Sequence, residues 1–206
     1  MMKKQSVRVF LVAGAALIAT SLQGCFPLIA AGVGAGAMSI SDRRSTGAQI
    51  DDEAIEAKIS SRNKEQFGSA QYEVDATSYN RRVLLTGQAA TEEIKNRLAD
   101  IAKSVPNVAA VFNEVTVADS NSFGKHSNDA LVTSNVKARL VTNAEGRFHA
   151  SDIKVTTESN TVYLMGLVTQ AEGDAATEVA RTSQGVQRVV KVFEYTDNRR
   201  QAGAAK

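Results

Sequence analysis

Val83-Leu84-Leu85-Thr86-Gly87 and Val162-Tyr163-Leu164-Met165-Gly166 are two apolar stretches that each close on glycine, and they decide the fold. Each is followed by a helical segment and then by a valine-rich stretch, 108–117 and 186–195. Upstream the match continues: Asp52-x-x-Ile55-x-x-x-Ile59 faces Asp129-x-x-Val132-x-x-x-Val136, and Tyr72-x-Val74 faces Ile153-x-Val155. Self-similarity at this period marks one structural unit used twice. The copies run over 48–118 and 127–196, with a short polar link, 119–126, between them.

Each copy reads helix, strand, strand, helix, strand. In the first, Asp51 or Asp52 caps a helix that carries Ile55 and Ile59 on one face. A strand over 72–77 turns through Ser78-Tyr79-Asn80 into a strand over 82–86, which Gly87 ends. Thr91 opens a second helix with an apolar stripe at Ile94, Leu98, Ile101, Ala102 and Val105, the spacing of one helical face. Pro106-Asn107 stops it. The second copy repeats the order, with Ser159-Asn160 at the hairpin. Two helices can cover one face of a three-stranded mixed sheet, so the fold class is α+β with two tandem αββαβ domains.

The N-terminus sets the compartment. Lys3, Lys4 and Arg8 precede an apolar run from Val9 to Leu22, the layout of a secretory signal peptide over residues 1–24. The run is shorter than the roughly 20 residues that span a bilayer. Leu22-Gln23-Gly24-Cys25 resembles a bacterial lipobox, although Gln23 stands where a small residue is commonest. Cleavage there leaves Cys25, the only cysteine, as the first mature residue and the site of lipidation. Each buried methylene contributes about 0.8 kcal/mol, so one acyl chain anchors marginally and three anchor firmly. Phe26 follows where, by resemblance to enterobacterial lipoproteins, an aspartate would retain the protein at the inner membrane. The expected location is the outer membrane of a Gram-negative bacterium, facing the periplasm. Residues 25–47 read as the lipidated start and a flexible tether, and 197–206 as a disordered tail.

Composition excludes more than it assigns. Removing residues 1–24 takes three of the 24 basic groups and none of the 22 acidic ones, so the mature chain carries a net charge of −1. That balance argues against nucleic acid as the main ligand. The chain lacks tryptophan and holds few aromatics, which disfavours a large aromatic-lined pocket. With Cys25 acylated no thiol is left for a nucleophile or a metal.

Candidate catalytic groups are few. His126 and His149 fall in polar segments without metal-binding spacing. Asp51-Asp52-Glu53 lies at a helix start, where acids favour the dipole. Gly32, Gly34 and Gly36 precede no phosphate-binding helix. No catalytic residue, metal site or cofactor is expected, and the chain reads as a binding protein rather than an enzyme. At about 100° per residue, Val132, Val136 and Leu140 form the inward stripe of the second copy's first helix. Leu131 and Val141 lie off that stripe, beside Lys137 and Arg139. Such a face suits a phospholipid surface; it equally suits packing against the first copy or Phe123 of the link.

The repeated αββαβ pattern resembles the BON domain, and two copies behind a lipobox resemble the dual-BON lipoproteins of the outer membrane. The most specific stretches are Ser127-Asn128-Asp129, Lys154-Val155-Thr156-Thr157-Glu158 and Leu164-Met165-Gly166-Leu167-Val168-Thr169. The resemblance implies binding to anionic phospholipids, phosphatidylglycerol and cardiolipin, through the first helix of the second copy. It also implies support of envelope integrity and concentration at division sites. Carried over, the face is Leu131, Asn135, Lys137, Ala138, Arg139 and Val141. Gly87 and Gly166 are then structural, and Gly166→Glu is expected to unfold its repeat. The alternative implied by other BON proteins is a periplasmic adaptor or chaperone working with the outer-membrane β-barrel assembly machinery.

Overall fold

In the computed structural model the described residues are 42–68, 70–119 and 128–197. The chain divides into residues 1–38 and 39–206, and the described residues all fall in the second unit. The signal sequence, Cys25 and the start of the tether lie outside the described residues, as do most of the link and the tail.

The order in the first repeat is α1 (Thr46–Gln66), β1 (Tyr72–Tyr79), β2 (Arg82–Ala89), α2 (Glu92–Lys103), β3 (Ala110–Asn113) and β4 (Thr116–Val117). The second repeat runs α3 (Asp129–Thr142), a 3-10 turn (Ala150–Asp152), β5 (Ile153–Glu158), β6 (Thr161–Val168), α4 (Gln170–Arg181) and β7 (Arg188–Tyr195). In both sheets the second strand is central, antiparallel to the first and parallel to the last. The expected tandem α+β architecture is the observed one.

Strand alternation divides the buried residues between two faces. Val83, Leu85 and Ala89 of β2 meet Ile55 and Ile59 of α1 and Leu98, Ala99 and Ala102 of α2. Val162, Leu164 and Val168 of β6 likewise meet Val132, Val136 and Leu140 of α3 and Ala176, Val179 and Ala180 of α4. The residues between them form a third cluster that joins the repeats: Tyr79 and Leu84 from the first, Tyr163, Met165, Leu167 and Val192 from the second. The helix-free faces of the two sheets are thus turned toward each other. This is why all eight residues of β6 are buried.

Four local expectations are corrected. The first helix begins five residues ahead of its acidic cluster, at Thr46, with Ser45 as N-cap accepting from the Ala48 N–H. Residues 42–47, read as tether, therefore belong to the folded body. Asp52 caps no helix; it is 3% exposed and turns its carboxylate to the β1–β2 hairpin.

That hairpin turns at Asn80-Arg81, one position later than expected, with φ of 51° and 64°; Ser159-Asn160 matches it at 51° and 58°. Positive φ at both loop positions is the type I′ signature that suits the twist of a hairpin. Ser78 and Tyr79 are drawn into β1 instead.

Gly87 and Gly166 do not end their strands, which run on to Ala89 and Val168. Both face a backbone carbonyl: a Cβ on Gly166 would sit 2.5 Å from the Asp152 oxygen, and one on Gly87 would run into that of Glu73. Gly87 also adopts φ of +115°.

The last strand of the first repeat is split between β3 and β4. Val115 turns into the core at 1% exposure, and the Asn113 side chain bridges the break by accepting from the Val115 N–H and donating to the Lys95 carbonyl.

Candidate membrane-facing surface

Helix α3 is fixed from below. Asp129, almost fully buried, accepts from the N–H groups of Ser159 and Asn160 at 2.8 and 2.9 Å. Thr133 donates to the Thr157 hydroxyl at 2.7 Å, tying the helix to β5. Val132, Val136 and Leu140 fill the core, and Gly185 passes so close to Val132 that a Cβ there would approach its methyl to 2.8 Å. At the far end the Arg147 guanidinium donates to the Asn143 carbonyl, satisfying an orphan acceptor of the helix terminus.

What remains is the outward side. Leu131 is 63% and Val141 67% exposed, so neither packs on the first repeat. Phe123 lies outside the described residues. Asn135, Lys137 and Ala138 are exposed on the same helix. Among the described residues Lys137 has no hydrogen-bonding or ion-pair partner. Arg139 differs: it is half-buried and donates to the hydroxyls of Ser183 and Thr182 at 3.0 and 3.1 Å, bracing α3 against the end of α4. The structure thus places five of the six residues on open surface and the sixth at its flank.

Charged groups around the β1–β2 hairpin and the start of α4 are committed to structure. Asp52 accepts from the Ser78 hydroxyl and the N–H groups of Asn80 and Arg81, and pairs with Arg44 at 2.9 Å. Arg43 makes a forked pair with Glu172 at 2.6 and 2.7 Å and reaches Asp152 at 3.2 Å. The Arg43 guanidinium beside Glu172 holds that carboxyl down at about 2. Burial pushes the Asp152 carboxyl up against the opposing pull of Arg43, and it raises the Tyr79 hydroxyl. Sequence reasoning passed over Arg43 and Arg44. Their signal was weak, two cations beside an aspartate in what read as a spacer.

His149 is exposed beside the 3-10 turn; His126 lies outside the described residues. Among the described residues no group of three or more metal-ligating side chains gathers. No described helix is long and apolar enough to cross a membrane.

The folded body is thus a pair of αββαβ units docked by their open sheet faces, with the outward side of α3 left exposed. Residues 51–119 and 128–197 each match the BON domain, and the chain belongs to that family. It is 40% identical to the outer membrane lipoprotein DolP of Haemophilus influenzae over 177 residues, 85% of this chain and 91% of that protein. It is 34% identical over 155 residues to a 21 kDa hemolysin of Actinobacillus pleuropneumoniae, covering 75% and 79% of the two chains. Neither relative is named as an enzyme. The first relationship places the chain among lipid-anchored proteins of the Gram-negative outer membrane. A solved structure of CdsD, a type III secretion protein of Chlamydia trachomatis, aligns at 10% identity over 73% of this chain and 97% of its own; its TM-score of 0.27 adds nothing to the assignment.

Proposed function

We propose that the mature protein, held by acyl chains on Cys25 at the periplasmic face of the outer membrane, lays the outward side of α3 on anionic phospholipid. It acts by binding rather than catalysis, supporting envelope integrity and marking division sites. The observation that supports this reading is the exposure of Leu131 and Val141 on a helix whose inward side is already satisfied. Leu131, Ala138 and Val141 enter the headgroup boundary, Asn135 meets headgroup oxygens, and Lys137 meets phosphate. Arg139 adds its charge from the flank while remaining tied to α4.

One cation near an anionic surface contributes about 1 kcal/mol. With a few aliphatic contacts the face alone binds weakly. Anchoring raises the effective concentration, so weak contact suffices.

Flotation tests the reading. The mature chain with Cys25→Ser, mixed with phosphatidylglycerol or cardiolipin vesicles, is expected to float, and with phosphatidylcholine vesicles to stay down. Leu131→Glu should abolish flotation, whereas Ala54→Glu at the matching position of α1 should not. Raising ionic strength should weaken binding through Lys137. Equal flotation of Leu131→Glu and the parent would reject the face. Salt-insensitive capture by both vesicle types would favour a hydrophobic client surface and the adaptor role with β-barrel assembly.

A further inference from the structure

The short strap ahead of α1 holds contacts that the lipid-binding reading does not use. Arg43 and Arg44 are neighbours in sequence, yet they point into different repeats. Arg43 enters the second: its guanidinium donates to both Glu172 oxygens and to the Leu167 carbonyl, and its backbone N–H donates to Asp152. Arg44 enters the first: it pairs with Asp52 and Asp42 and lies over the Tyr79 ring, 4.0 Å from the centroid. The Tyr79 hydroxyl then crosses over and donates to the Asp152 carbonyl at 3.0 Å.

The surface beneath this strap is modest. From the first repeat only Tyr79 and Leu84 are fully buried in the joining cluster, with Phe112 partly so. The other cross-repeat bonds are polar: Lys154 to Glu56 and to the Ser78 carbonyl, and Asn80 to Glu194. Domains move relative to one another by default unless the interface that joins them is large and hydrophobic. A forked arginine–carboxylate pair is the strong, directional kind of contact that can oppose such motion. Both ends of the fork are prepared. Glu172 is already oriented by the Thr169 capping box at the start of α4, and Arg43 has 20% of its side chain exposed, so the pair is largely shielded.

We infer that residues 42–45 are a latch between the repeats, Arg43 being the bolt. The segment that leads from the membrane anchor decides whether the two repeats move as one body. With the bolt engaged, the second repeat keeps a fixed attitude to the first; with it withdrawn, the described contacts left are the small apolar cluster, the Tyr79–Asp152 bond and the polar bonds of Lys154 and Asn80, and the repeats separate on their link. This goes beyond lipid binding and does not depend on it.

The full-length acylated protein in detergent allows a direct test, because its only native cysteine is blocked. Cysteines replacing the exposed Lys64 and Gln184 accept spin labels, one on each repeat. The parent should give one narrow label-to-label distance distribution. Arg43→Glu should at least double its width or add a longer second distance, with far-ultraviolet circular dichroism unchanged. Arg43→Lys, which keeps charge but loses the fork, should fall between the two. Arg81→Glu, which changes an exposed residue lining one cleft with Arg43 and Arg44, should match the parent. Superimposable distributions for Arg43→Glu and the parent would overturn the latch. So would loss of helical signal in Arg43→Glu, since Arg43 would then be part of the second repeat's own fold.

Discussion

Helices α1 and α3 hold the same place in their repeats and turn outward sides of different chemistry to solvent. Inward they match: Asp52, Ile55 and Ile59 against Asp129, Val132 and Val136, all buried. Outward, Ala54 stands where α3 has Leu131, Ser61 where it has Ala138, and Lys64 where it has Val141. The inward set is dictated by the sheet and its hairpin, which neither repeat can alter without losing its core. The outward set takes no part in the core and is free to diverge. Two copies of one unit can thus divide their labour, one helix carrying a polar surface and the other an apolar one. Exposed Ile50 on α1 is the exception; its counterpart, Ser127, lies outside the described residues.

The glycines give the largest contrast between the repeats. At Gly87 a side chain meets both a backbone carbonyl and a left-handed φ, whereas at Gly166 it meets the carbonyl alone. Gly87→Ala is therefore expected to cost more than Gly166→Ala, with both above about 2 kcal/mol, since backbone cannot step aside as a side chain can. Gly166→Glu adds a buried charge and should leave the second repeat unfolded. Urea unfolding followed by circular dichroism measures the order; a Gly166→Ala loss equal to that of Gly87→Ala would show that φ contributes little.

The buried aspartates come next. Asp52 serves three donors of the hairpin and one arginine, Asp129 two backbone N–H groups. Removing a carboxylate strands those donors, at about 1–3 kcal/mol each when buried, with water repairing part. Asp52→Ala should cost about 3–4 kcal/mol and Asp129→Ala about 2 kcal/mol in the same unfolding measurement. Equal losses would mean that solvent reaches the first hairpin as freely as the second.

The repeat, its element order and its core stripes were legible in the sequence because they obey period and self-similarity. Thr91 was legible as a cap, and Leu131 and Val141 as residues off the buried stripe. The start of α1 was not: Asp51-Asp52-Glu53 imitates a helix opening, and only the tertiary fold reveals that Asp52 serves a hairpin 28 residues on. Arg43 was illegible for a related reason. Its partners Asp152 and Glu172 lie more than a hundred residues away in sequence, and no local pattern announces a contact between domains. The break at Val115 likewise depends on a core residue competing with strand pairing. Periodicity reads what a residue does for its own element; these residues act for another.

The smallest expected effect separates the repeats by their second helices. Thr169 caps α4 with Glu172 completing the box, whereas Thr91 caps α2 with Ile94, which cannot complete a box, at the equivalent position. Among the described residues only Glu172, in the second repeat, has a carboxyl held at about 2, chiefly by Arg43. A carboxyl whose value is lower folded than unfolded adds stability above its unfolded value, here 4.5, and that contribution is lost as pH falls from 4.5 toward 2. Burial pushes the Asp42 carboxyl up, but Arg44 outweighs it and holds the group low, so Asp42 follows the same direction. Asp152 opposes both, because burial raises it and the folded state takes up its proton first as the solution is acidified. The parent should thus lose about 1–2 kcal/mol between pH 4.5 and 2.5 beyond what Glu172→Gln loses, while the two should run parallel from pH 6 to 8. Thermal unfolding across that range measures the difference. Parallel curves down to pH 2.5 would show that the Arg43–Glu172 pair contributes nothing, and would remove this distinction between α2 and α4.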